Sequence, residues 1–185
     1  QTITFTVCAK AFAGTKNILM IGDSLLVGGS NYYGAQINSV LNSCIFTYLG
    51  TQGTTIKHEG HSGYKIEDYA LNNNSDINPS PFFKDGVLNI PAYFIDNSLD
   101  TPDYLIFHIG LNDIFPWCYL PWGLNGEIPD TTITNIIGYF KILIDAFLAF
   151  NNNLKILLGI PPISDNDGIS WNYSYDETKY IENKY

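Results

Sequence analysis

Apolar runs of two lengths alternate with polar, glycine-rich stretches along this chain. The short runs are Asn17 to Ile21, Cys44 to Leu49, Tyr104 to Ile109 and Lys155 to Ile160, each closed by glycine or proline. All four predict strands, and Asn17 to Ile21 and Tyr104 to Ile109 predict buried ones. The long run, Thr132 to Phe150, predicts a helix. Tyr33 to Asn42 and Ile66 to Leu71 predict two shorter ones. Thr2 to Val7 alternates and is rich in β-branched residues, so it predicts a further strand, joined by a linker over Ala9 to Lys16. Gln52 to Gly63, Asn72 to Pro81 and Asn112 to Pro129 read as loops. Phe82 to Tyr93 reads as irregular. The tail from Ser164 is polar, with a helix starting at Asp176.

Strands alternating with helices predict an α/β fold with a mainly parallel sheet. Right-handed crossovers then place helices on both faces, giving a three-layer α/β/α sandwich. Ligands of such sheets sit at the carboxyl ends of the strands. That rule selects Gly22-Asp23-Ser24, the stretch Gly50 to Gly63, and Gly110 to Asp113. Residues 1–16 are expected to end a preceding β segment, with the α/β domain spanning 17–185.

Composition narrows the partners. A chain of 185 residues fits one domain. Its 45% hydrophobic and 15% charged residues exclude intrinsic disorder. The net charge is −9, with 9 basic residues against 18 acidic, so there is no footprint for nucleic acid. An anionic membrane surface is disfavoured on the same ground. An uncharged sugar or neutral ester is easier to accept. Cys8, Cys44 and Cys118 are widely spaced and form no Cys/His cluster, so no metal site is expected. Gly22 to Gly29 forms neither a dinucleotide-binding nor a Walker sequence, and no cofactor is expected. Asn135, Lys141 and Asp145 interrupt the long apolar run, which predicts a buried helix and not a membrane span.

Three strand ends carry chemistry. Ser24 follows a buried strand and precedes a helix, so its hydroxyl sits at a helix N-terminus, either as an N-cap or as a nucleophile. Asn112 either makes a turn with Asp113 or points its amide at a developing oxyanion. Gly63, in Glu59-Gly-His-Ser-Gly-Tyr64, belongs to a flexible loop or offers an unobstructed backbone N–H.

Taken in order, Ile21-Gly22-Asp23-Ser24-Leu25, Gly63 and Gly110-Leu-Asn112-Asp113 resemble the first three blocks of the SGNH hydrolase superfamily, also called GDSL esterases. The resemblance spans about Asn17 to Ile163. The phrases Glu59 to Tyr64 and Asn78 to Phe83 are similar to those of carbohydrate-acetylesterase-like members from gut bacteria and their phages. It implies the flavodoxin-like fold of that superfamily and a serine esterase. Ser24 would attack the ester carbonyl, and the N–H groups of Ser24 and Gly63 with the Asn112 side chain would hold the oxyanion. Asp23 and Asp113 would fix loop geometry. The implied substrate is an acetylated polysaccharide, and the implied setting is extracellular or virion-associated. Tyr32-Tyr33, Phe82-Phe83 and Trp117 to Trp122 either pack internally or form a sugar-stacking rim.

One block is missing. The superfamily ends on D-x-x-H, whose His is the general base, and no Asp here has His three residues on. A serine hydroxyl is a poor nucleophile without a base. The three histidines, His58, His61 and His108, lie upstream, and His108 reads as a sheet residue facing a helix. The expectation is a domain that is incomplete at its C-terminus by about 40–70 residues, one βα unit. The base would then come from a downstream segment or a partner chain. The alternative is a non-catalytic carbohydrate-binding or structural domain on the same fold. A lipase or thioesterase would need an acyl groove, which no stretch suggests.

Overall fold

A computed structural model describes residues 14–40, 45–73, 79–118 and 128–159. The elements Thr2 to Val7, the tail from Ser164, and Cys8 and Cys44 lie outside these residues. The element order is β1 (Thr15–Gly22), α1 (Ser24–Val40), β2 (Ile45–Leu49), β3 (Glu59–Gly60), α2 (Ile66–Leu71), β4 (Phe83–Lys84), β5 (Val87–Leu88), α3 (Ile90–Asp96), β6 (Tyr104–His108), α4 (Leu111–Cys118), α5 (Asp130–Phe150) and β7 (Lys155–Leu158).

The main sheet is parallel, in the order β2-β1-β6-β7. The two-residue β3 pairs with the carboxyl end of β1, Ile21 opposite Glu59 and Gly22 opposite Gly60. On the other side of β1, Gly22 lies opposite His108 of β6. The carboxyl ends of β3, β1 and β6 are therefore neighbours.

Both faces of the sheet are covered, which makes the expected α/β sandwich. On one face Ile18 and Met20 meet Leu26, Tyr33 and Ile37 of α1. On the other, Leu19, Ile21, Leu105 and Phe107 meet residues of α2, α3 and α5. Phe82 and Phe147 are fully buried there, ring centroids 5.3 Å apart at 82°, the edge-to-face arrangement aromatic quadrupoles favour.

Several elements differ from expectation. β1 begins two residues early, at Thr15, because Thr15 and Lys16 already pair with Ile45 and Phe46. α1 starts at Ser24 and not Tyr33. Its low-propensity Gly28, Gly29, Ser30 and Asn31 hide the helix, but Leu26, Tyr33 and Ile37 on its sheet-facing side hold it. Phe82 to Tyr93 is not irregular: Asp85-Gly86, both at positive φ, turns the β4–β5 hairpin, and the Asn89 side chain accepts the Ala92 N–H to cap α3. The first part of the Asn112–Pro129 loop is α4, which contains Pro116. α5 is half-buried and not buried. Leu143 and Phe147 are enclosed, while Ile137 on the outer side is 62% exposed. By length and composition alone α5 could cross a membrane; here its inner face lies on the core.

Candidate active site

The first strand end is built around Gly22. Its carbonyl accepts the Tyr69 hydroxyl at 2.7 Å and the His61 N–H at 3.0 Å. A Cβ on Gly22 would stand 2.6 Å from the His108 carbonyl oxygen and 2.7 Å from Leu26 Cβ, so only glycine lets β1, β6 and α1 approach this closely. The next residue, Asp23, is buried and takes the capping position of α1. Its Oδ1 accepts the Leu25 N–H at 2.9 Å and its carbonyl accepts the Val27 N–H at 3.1 Å. Burial raises the Asp23 pKa, against the pull of the Leu25 N–H and of nearby His108. Because Asp23 is the cap, Ser24 is the first residue inside the helix and is exposed. The helix dipole favours negative charge there.

The second strand end is the turn His61 to Tyr64, closed by the Tyr64 N–H donating to the His61 carbonyl at 3.2 Å. Gly63 is exposed, with φ of +82°, and a Cβ there would meet nothing within 4 Å. Its backbone conformation, not space, requires glycine. Glu59 anchors the turn from below and is fully buried. Its Oε1 accepts the Thr51 N–H at 2.5 Å and the Tyr93 hydroxyl at 2.6 Å; its Oε2 lies 3.1 Å from His61 Nε2. The His61 ring stacks on Tyr64 at 4.7 Å. Burial first, and then the Glu59 charge, push the Tyr93 hydroxyl pKa up, so it remains a donor. His58 is buried, its Nδ1 accepting the Gly60 N–H at 2.9 Å, and burial lowers its pKa.

The third strand end ties back to the second. Asn112 Nδ2 donates to the Tyr64 carbonyl at 3.0 Å. An amide NH2 carries two N–H groups, so this bond uses one and fixes the direction of the other. Buried Asp113 accepts the Ile66 N–H with both oxygens, at 3.1 and 3.2 Å. Burial pushes its carboxyl pKa up to about 6 against that hydrogen bond.

The fold thus brings Ser24, Gly63 and Asn112 to the ends of three adjacent strands, linked through Gly22, His61 and Tyr64. His108 ends β6 with its ring 4.8 Å from that of Tyr33 on α1, as a sheet residue facing a helix. Its Nδ1 is buried and has no hydrogen-bond partner among the described residues. Phe82 belongs to the core and Tyr33 packs under α1, so neither forms a rim. The side chains of Tyr32 and of 117–122 lie outside the described residues. Sequence reading missed the buried Glu59–Tyr93 pair and the Tyr69 hydroxyl, which also donates to the Glu59 carbonyl at 2.6 Å. The one signal was Glu59 standing with Gly60 between two histidines, His58 and His61.

No family profile and no curated protein matches the sequence. Several solved structures are similar to the chain. A "possible lipase" from Chitinophaga pinensis is 20% identical, with a TM-score of 0.44, over 79% of this chain and 48% of its own. The chain therefore spans about half the length of that protein. A variant of an acetyl xylan esterase from Geobacillus stearothermophilus is 16% identical, with a TM-score of 0.48, over 93% of this chain and 70% of its own. An α/β hydrolase from the metagenome of Lake Arreo is 15% identical, with a TM-score of 0.46, over 94% and 72%. At these identities the likeness assigns no activity to this chain.

Proposed function

We propose that the chain is the nucleophile-bearing part of an SGNH-type serine esterase that deacetylates a carbohydrate. Ser24 attacks the ester carbonyl. The N–H groups of Ser24 and Gly63 and the second Asn112 amide hydrogen receive the oxyanion. The observation that carries the reading is the Asn112–Tyr64 hydrogen bond, because it ties a side-chain donor at the start of α4, just after β6, to the Gly63 turn that β1 supports. Preorganised donors of this kind are worth about 100- to 1,000-fold in rate each. The reading takes its general base from outside these residues, since no D-x-x-H occurs in them.

Added imidazole tests this. A serine with an oxyanion hole and no base is rescued by an external base. Hydrolysis of 4-nitrophenyl acetate is expected to be slow, to rise with imidazole beyond the solution reaction, and to fall to the solution rate in Ser24→Ala. A fluorophosphonate adduct, mapped by mass spectrometry, should appear on Ser24 under the same conditions. Full rescue in Ser24→Ala overturns the nucleophile assignment. No rescue in either protein favours the second reading, a non-catalytic carbohydrate-binding domain, which the missing base also supports.

A further inference from the structure

Between α2 and α5, beside Asp113 of α4, lies an open cavity of about 310 Å³. Its lining is Lys65, Glu67, Asp113, Thr132, Asn135, Ile136 and Tyr139. The volume is at the lower end of ligand sites, about 300–1,000 Å³. Two of its walls continue the candidate site directly. Lys65 follows Tyr64, whose carbonyl takes the Asn112 amide, and Asp113 follows Asn112.

The lining selects among ligand classes. Charged Lys65, Glu67 and Asp113 make it a poor acyl groove, because an apolar chain would strip water from them without replacing their hydrogen bonds. Two carboxyl groups beside one ammonium disfavour a polyanion, and the ammonium, with its Nζ 3.5 Å from Glu67 Oε1, disfavours a second cation. A neutral polyol satisfies every wall. Its hydroxyls both donate and accept, matching the Asp113 and Glu67 carboxyls, the Asn135 amide, the Thr132 hydroxyl and the Lys65 ammonium. Its apolar C–H face matches Ile136 and the Tyr139 ring.

We propose that this cavity is a subsite for one ring of a neutral glycan, seated next to the ester carbonyl that Ser24 would attack. The geometry rests on the proposed function for its neighbour but not for its own chemistry. A ring held here fixes the alcohol side of the ester, and the acyl side remains over Ser24.

The test reads binding, not turnover. Xylotriose, cellotriose and mannotriose are titrated into the full chain, followed by NMR of backbone amides. At least one is expected to bind in about the millimolar range, shifting the amides of Lys65, Asp113 and Asn135. Tyr139→Ala should weaken it about tenfold, and so should exposed Asn135→Ala, which removes little packing. Ser24→Ala should bind like the parent. Tyr139-dependent binding without Ser24-dependent hydrolysis leaves the subsite standing and overturns the esterase. Binding by none of the three sugars, or equal binding by folded Asn135→Ala, overturns the subsite and leaves Ser24 as it was.

Discussion

Asp23 occupies the cap of α1, and that single fact changes the meaning of Ser24. A serine at this place in a sequence reads first as a cap and second as a nucleophile; the Leu25 N–H bond to Asp23 leaves the cap filled and the hydroxyl outside it. Gly63 is the other residue whose backbone decides its role. An L side chain at φ of +82° costs about 1–2 kcal/mol and tilts the neighbouring N–H groups. Gly63→Ala should therefore keep the fold, with a small loss in thermal midpoint, while Ser24-dependent hydrolysis drops at least tenfold. Unchanged hydrolysis would remove Gly63 from the oxyanion role. Asp113 gives a pH signature. It holds its proton more tightly folded than unfolded, so it stabilises the fold below the unfolded value of 3.8 and loses that contribution as pH rises through about 6. A shift of this size corresponds to roughly 3 kcal/mol at most. Asp113→Asn keeps an oxygen for the Ile66 N–H and cannot ionise. Urea unfolding at pH 5 and pH 7.5 should show the parent losing more stability than the variant on going to the higher pH. His58 and the other titrating groups are common to both proteins and cancel in the difference. Equal pH dependence would mean that Asp113 is well solvated.

Elements marked by an apolar run were legible. β1, β2, β6, β7, α2 and α5 follow their apolar runs to within a few residues, although the flanking strands β2 and β7 are not buried on both faces: Ile45, Leu157 and Leu158 are exposed. Elements held by tertiary contacts were not. β3 has no apolar residue; Glu59 and Gly60 are strand because β1 offers them an edge and Tyr93 and Thr51 satisfy the carboxylate. α4 was obscured by Pro116, since a helix-interior proline costs about 3 kcal/mol. The hairpin and α3 were readable and overlooked: Asp85-Gly86 is a hairpin turn pair, and Asn89 followed by Pro91 is a helix start. The sequence named candidate residues but not the network around them, because the hydrogen bonds from Asn112 to Tyr64 and from Ile66 to Asp113 link positions remote in sequence. Element-scale energetics are best tested on α5. Phe147 is fully buried against Phe82 and Phe94, whereas Ile137 stands on the outer side. Phe147→Ala should cost about 3–5 kcal/mol in chemical denaturation. Ile137→Ala should stay within about 0.5 kcal/mol. A large loss at Ile137 would mean that the outer face of α5 is covered in solution.

At the scale of the whole molecule, topology and charge act on the same place. A parallel sheet gathers the carboxyl ends of its strands at one edge, so three short motifs separated in sequence become neighbours there. The molecule presents that edge inside the field of a chain with net charge −9. A field of one sign repels anionic ligands at long range and is screened by salt, with a Debye length of about 10 Å at 0.1 M. Neutral ligands are indifferent to it. A neutral trisaccharide such as xylotriose should therefore bind with the same affinity at low and at moderate salt. Trigalacturonic acid, of similar size but carrying three carboxylates, should bind more weakly at low salt and recover as salt rises. Among the described residues, Lys65 supplies the only cationic side chain of the cavity wall and opposes this trend locally. Tighter binding of trigalacturonic acid at low salt, abolished in Lys65→Gln, would show that this one ammonium outweighs the global field, and the cavity would then be a site for uronates and not for neutral sugars.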